Sequence, residues 1–184
     1  MAAPRGHVRN VARVRGHAYI SDRRSLSRVR IRPFEEADRP AVVDLWHRVG
    51  LYRPWNDPDR DIDRKLADSP WGMLVGVEEA APAEAPGPAG ECVIATMMVG
   101  YDGHRGSVFY LAVDPAHQGQ GLGTALMDHA EAMLLERGCP KAHASVRATN
   151  HAVIGFYEAR GYQVEGSSHA VTLGRRLIHD DGRR

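Results

Sequence analysis

The chain has 184 residues, 43% of them apolar, and its 24 lysines and arginines against 23 aspartates and glutamates leave a formal charge of +1. That length suits one full hydrophobic core rather than two, and a near-neutral balance excludes wholesale steering toward nucleic acid or a membrane surface. No apolar run approaches the roughly 20 residues that span a bilayer and no apolar stretch follows the basic N terminus, so a cytoplasmic protein is expected.

The first 27 residues are arginine-rich, with Arg5, Arg9, Arg13, Arg15, Arg23 and Arg24 against the single acid Asp22, and no apolar period runs through them. They read as a disordered extension ahead of a domain at residues 28–184. Such an arm can hold RNA or an acidic surface, but a plain solvated tail is the simpler reading. Residues 29–34 alternate as a short strand, and Asp38 stands where a helix cap belongs. Val42, Leu45, Trp46 and Val49 then fall at helical spacing up to Gly50. A turn-rich stretch at 51–58 leads into a short polar helix at 59–67.

Residues 71–77 read as a strand and 79–90 as a flexible Ala/Pro/Glu loop. Residues 92–101 and 107–113 read as a hairpin turning at 102–106. An apolar helix follows, with Leu122, Leu126, Ala130, Met133 and Leu134 on its spacing. Beyond it come a strand at 141–146, a helix at 150–160 and a terminal pair of strands at 162–165 and 170–177. This alternation predicts a mixed α/β fold, a twisted sheet flanked by helices. Cys92 and Cys139 have neither metal-ligand spacing nor a disulfide framework, and read as buried thiols.

The strand at 107–113 runs directly into Gly119, Gly121 and Gly123, which open the next helix. Glycine lets successive N–H groups converge at the positive end of a helix, an arrangement that takes an anion, above all a pyrophosphate. The dinucleotide fingerprint fails because Thr124 stands where its third glycine belongs, and no Gly-Lys-Ser/Thr follows to make a triphosphate loop. The pattern that remains is Gln-x-x-Gly-x-Gly, carried by Gln118, Gly121 and Gly123.

With that motif after a strand ending Val113-Asp114-Pro115, the chain resembles the GNAT superfamily of acetyl-CoA-dependent N-acetyltransferases. A second segment strengthens the resemblance: the run from Asn150 through Phe156, Tyr157 and Gly161 to Tyr162 is similar to the family's Asn-x-x-Ala-x-x-Phe-Tyr-x-x-x-Gly-Phe/Tyr helix. From residue 29 onward the chain is similar to the small YpeA-type members, notably at 51–57, 101–106 and 138–141. The resemblance implies a mostly antiparallel sheet of about six to seven strands with about four helices.

It also implies a cofactor, acetyl-CoA, and no metal. The pyrophosphate would lie on Gln118, Gly119, Gln120, Gly121, Leu122, Gly123 and Thr124, and the pantetheine arm would pair with Leu111, Ala112 and Val113. Asn150 would contact the arm, and Tyr157 would protonate the departing thiolate, a role that typically contributes about 10²- to 10⁴-fold. In the family the region between the first two helices lines the acceptor pocket, which makes Arg53, Trp55, Asn56 and Asp57 substrate candidates, with Tyr101 and Asp102 on the hairpin. His104, beside Asp102, is the candidate base.

The expected partner is a primary amine on a small molecule or a peptide. Relatives that acetylate protein N-termini carry a glutamate where Ser145 stands here. Deprotonating a lysine-like amine at pH 7 costs roughly 4.6 kcal/mol against about 1.4 for an α-amine, so a weak base suits the latter. A homodimer is compatible with this reading. Its alternative is a non-catalytic acetyl-CoA sensor or docking module that uses the basic arm.

Overall fold

The computed structural model of the chain describes residues 18–19, 29–79 and 90–164. Among these, six strands form one sheet in chain order: β1 (Ala18–Tyr19), β2 (Val29–Pro33), β3 (Met73–Glu79), β4 (Glu91–Tyr101), β5 (Gly106–Val113) and β6 (Ala142–Ala144). Pairing is antiparallel from β1 to β5, while β6 returns parallel to β5 after a helical crossover. Four α-helices cover the sheet: α1 (Arg39–Arg48), α2 (Pro58–Asp68), α3 (Leu122–Glu136) and α4 (His151–Ala159).

Strand alternation distributes two cores to the two faces. Met73, Val75 and Val77 of β3 meet Val42, Leu45 and Trp46 of α1 and Ile62 of α2. Their neighbour Leu74, with Met97 and Val99 of β4, meets Leu122, Leu126, Met127 and Ala130 of α3 on the opposite face. Each such fully buried side chain contributes about 1.5–3 kcal/mol relative to exposure, which fixes the register of strands whose one-residue slip would exchange the two faces. No helix among the described residues is long and apolar enough to cross a membrane.

Asp38, expected as a helix cap, turns inward instead. It is 1% exposed, its carboxylate accepts Arg32 Nη1 and Nη2 at 2.6 and 2.8 Å, and Oδ2 also accepts the Glu35 N–H at 2.8 Å. Glu91 Oε2 accepts Arg32 Nε at 3.1 Å. A guanidinium buried on β2 requires such partners, and the bidentate geometry holds it charged far above its ordinary range. The helix therefore starts without a side-chain cap.

The terminal strand pair is corrected in part. Tyr162, Gln163 and Val164 carry no regular structure, and the rest of that expectation lies outside the described residues. So do the 80–89 part of the Ala/Pro/Glu loop and the basic extension, apart from Ala18–Tyr19, which is paired in the sheet on Ile31 and Arg30. Cys139 is buried and Cys92 half-buried, both as free thiols.

Replacing Asp38 with Ala leaves the Arg32 guanidinium inside the fold with one carboxylate fewer. Urea unfolding of Asp38→Ala is expected to show a loss of about 3–5 kcal/mol, the range for stripping one partner from a buried ion pair.

Candidate functional site

The β4–β5 ladder breaks at one place. Thr96 pairs with Ala112 and Met98 with Phe109, so Met97 faces two residues, Tyr110 and Leu111. Tyr110 has φ 50°, the single non-glycine residue at positive φ among the described residues. The bulge puts Phe109 and Tyr110 on the same face, toward α1 and α2, before Leu111 returns to the α3 side.

A left-handed tyrosine costs about 1–2 kcal/mol and needs surroundings that over-determine it. The Tyr110 ring lies 4.2 Å from that of Trp46, and its hydroxyl donates to Asp61 Oδ2 at 2.5 Å. Its carbonyl accepts Thr96 Oγ1 at 3.1 Å, and that oxygen in turn accepts Trp46 Nε1 at 2.8 Å. Beyond the bulge, β6 has parted from β5. The two pair only at Gly106, Ser107 and Val108, so the edge of residues 109–113 on that side carries no strand among the described residues. A row of main-chain donors and acceptors at such an edge is a template for an extended ligand.

That edge ends in the glycine turn. Gly119 and Gly121 have φ of 74° and 87°, values that L side chains resist, and Gly121 caps α3. Ala125 N–H makes the first intrahelical bond, to Gly121 O at 3.0 Å, so the amides of Leu122, Gly123 and Thr124 have no helical acceptor and point out of the positive end. Gln118 Nε2 donates to Val113 O at 3.0 Å and Gln120 Nε2 to Ala116 O at 3.2 Å, so both side chains brace the turn.

Its stem is clamped from both flanks. Arg48 of α1 pairs with Asp114, and His117 Nε2 lies 3.1 Å from Glu78 Oε2 of β3. Burial opposes the charge of Asp114, but the Arg48 guanidinium and the Ala116 N–H outweigh it and hold its carboxyl below the usual range.

Helix α4 packs across the start of α3. Arg160 donates to Thr124 O at 3.4 Å, to Asp128 at 2.6 Å and to Glu131 at 3.2 Å. This brings Tyr157 to 8% exposure in the α3-side core, its ring 5.2 Å from Phe156 and 5.3 Å from Tyr162. Burial pushes its hydroxyl up to about 12, which keeps it protonated throughout the neutral range. Asn150 caps this helix, its Oδ1 accepting the Val153 N–H at 3.3 Å.

Residues 40–162 match the model of the acetyltransferase (GNAT) family. Acetyltransferases of Pectobacterium atrosepticum and Sodalis glossinidius are 46% and 45% identical over 150 residues, which cover 82% of this chain and 96% of each relative. The chain belongs to the GNAT acetyltransferase family. Among solved structures, the ribosomal-protein-S18-alanine N-acetyltransferase of Escherichia coli aligns at 25% identity and a TM-score of 0.57, covering 72% of this chain and 76% of its own. A chain of the NatC complex bound to Gag peptide and CoA aligns at 18% identity and a TM-score of 0.61, over 72% of this chain and 83% of that one.

The remaining expected site residues of this GNAT acetyltransferase fall in two places. Between α1 and α2, Asp57 accepts the Asp59 and Arg60 N–H groups at 3.0 and 3.2 Å and caps α2. Arg53 donates to Gly50 O and Tyr52 O, and Asn56 N–H closes the turn onto Arg53 O at 2.9 Å. Trp55 stands out from this loop, 57% exposed.

The hairpin residues lie elsewhere. Asp102 Oδ1 accepts the His104 and Arg105 N–H groups at 2.7 and 2.6 Å, and these bonds hold its carboxyl below its usual range. Tyr101 closes β4 opposite Gly106. Gly106 abuts Leu134 and Cys139 at the far end of α3, whereas α4 rides on the first turns of that helix. The length of β5 therefore separates His104 and Asp102 from the glycine turn, which lies roughly 20–25 Å away along the strand.

Sequence reasoning missed Tyr110, Thr96 and Asp61. Residues 108–113 are continuously apolar, so no break in an alternating pattern marks the bulge.

Gly121→Ala is expected to cost about 1–2 kcal/mol in urea unfolding, because its φ admits no side chain. A Cβ at Gly123 would meet the Phe156 ring at an ordinary 3.5 Å, so Gly123→Ala should be neutral or slightly stabilising. The buried tyrosine gives a pH signature. Unfolded tyrosine ionises near 10 and folded Tyr157 near 12, so its share of stability is intact below pH 10 and is lost as the pH rises from 10 toward 12. Urea midpoints measured across that window should fall, and fall less in Tyr157→Phe.

Proposed function

We propose that the chain transfers the acetyl group of acetyl-CoA to a primary amine by direct attack on the thioester. The observation that carries this reading is the edge of Leu111, Ala112 and Val113, beside which no strand lies among the described residues, running straight into the glycine turn. In this reading the pantetheine arm pairs with the main chain of Leu111, Ala112 and Val113, and the pyrophosphate rests on the amides of Gly119 to Thr124. Contacts of anions with a helix terminus are worth about 0.3–2 kcal/mol each, so several converging amides supply useful affinity without side-chain specificity. The side chains of Gln118 and Gln120 act as braces of the turn, and Asn150 fixes the start of the helix that carries Tyr157.

The overall reaction converts an ammonium and a thioester into an amide, a thiol and a solvent proton. Once the amine is neutral, its lone pair attacks the carbonyl carbon and the C–S bond breaks. Tyr157 donates to the departing sulfur. With its hydroxyl near 12 and an ordinary thiol near 8.5, complete proton transfer would be uphill by roughly 5 kcal/mol. Tyr157 therefore stabilises the thiolate by a hydrogen bond while its final proton comes from solvent. With no strong base assigned beside Tyr157, an α-amine or another weakly basic amine suits the site better than a lysine-like one. With Ser145 in place of the glutamate of protein N-terminal acetylators, a small-molecule amine is the first class to test.

CoA release from acetyl-CoA should be followed against a panel of amino acids, polyamines, aminoglycosides and short peptides. Turnover with one class is the expected result. For that acceptor, Tyr157→Phe should lower kcat by about 100-fold and leave the calorimetric Kd for CoA within about twofold. Tight CoA binding without any turnover, unchanged in Tyr157→Phe, would favour the sensor reading instead.

A further inference from the structure

We infer that Asp61 is a positioning residue for the cofactor edge: through Tyr110 it holds the β5 bulge in the conformation that accepts the CoA arm. The inference rests on the reading of residues 109–113 as that edge. Asp61 lies in the first turns of α2, separated from β5 in the chain by β3 and β4, and makes no contact with the glycine turn or α4 among the described hydrogen bonds. Its side chain is 17% exposed, and its two oxygens divide their work. Oδ2 accepts the Tyr110 hydroxyl at 2.5 Å, while Oδ1 accepts Arg64 Nη1 at 2.9 Å within the helix.

The geometry makes this bond decisive for the edge. A tyrosine free to choose takes negative φ, and at negative φ the strand would resume its alternation and carry the Tyr110 side chain to the α3 face. The main chain of residues 110–113 would then turn with it, and the donors and acceptors along the β6 side would lose their present line. Trp46 supports the ring from α1 and Thr96 holds the Tyr110 carbonyl, but neither grips the hydroxyl end. Asp61 supplies that grip with a charge-assisted hydrogen bond, stronger than a neutral one and directional.

The test is calorimetric titration with CoA, which needs no acceptor. Asp61→Ala and Tyr110→Phe are each expected to raise the Kd for CoA about tenfold, and the double variant no more than either single one, since both cut the same bond. Arg64→Ala, which removes the other partner of Asp61, should bind CoA as the wild type does. Far-UV circular dichroism and a CoA-free melting curve on each variant establish that it is folded at the titration temperature. Wild-type Kd in both single variants, or losses that add in the double variant, would overturn the inference while leaving the cofactor reading intact. Failure of the wild-type chain to bind CoA would overturn the reading underneath and the inference with it. Should Tyr110→Phe prove unfolded, Asp61→Ala against Arg64→Ala decides the matter alone.

Discussion

A single tyrosine held at positive φ decides what the middle of the sheet can do. Strands with two packed faces tolerate little irregularity, because each side chain must return to its own core. The bulge at Tyr110 breaks that rule once, and everything on its C-terminal side follows: Leu111 and Val113 pack toward α3, Ala112 toward α1, and the main chain beside them stands open where β6 has turned away. The local strain is offset by groups from three other elements: Trp46 on α1, Asp61 on α2 and Thr96 on β4. A site built from backbone needs such an outside frame, since its own side chains have little to hold it.

The glycine turn shows the complementary solution. Its conformational freedom is confined to Gly119 and Gly121, while its stem is tied by Arg48 to α1 and by His117 to β3. Gln118 and Gln120 fold back onto carbonyls of the same turn. Flexible residues are thus set between rigid ones, so that the helix amides point one way before any anion arrives. Preorganisation of this kind lowers the ordering cost on binding.

Much of this was legible in the sequence for a definite reason: the features that carry it are local. A glycine-rich turn between an apolar strand and an apolar helix, the polar helix read at 59–67 and the Asn150 helix all depend on neighbours within a few residues. What escaped depends on distant pairing. Asp38 has the ordinary look of a cap, and its buried role arises only because β2 presents Arg32 beside it. Tyr110 gives no sign of positive φ, since that conformation is imposed by Trp46, Thr96 and Asp61. His104 and Asp102 sit close to the glycine motif in sequence, yet an extended strand lies between them, and eight residues of β5 put them at opposite ends of the sheet.

The same distinction bears on acceptor choice within the proposed chemistry. In the loop between α1 and α2 two polar side chains are already committed: Arg53 to carbonyls and Asp57 to the start of α2. If the acceptor approaches from this side, the exposed residues it would meet are aromatic: Trp55 is 57% exposed, Phe109 beside the bulge is 48% exposed, and Tyr52 stacks on His47 at 4.5 Å. Aromatic faces recognise apolar bodies and cations alike, and they do so with little loss of side-chain freedom. An acceptor that joins a compact amine to an apolar or ring-bearing body fits such a surface better than a small, fully hydrated polar molecule. In the proposed reaction a thiolate leaving against the buried Tyr157 hydroxyl would be stabilised most when the acceptor's own body keeps water from that side.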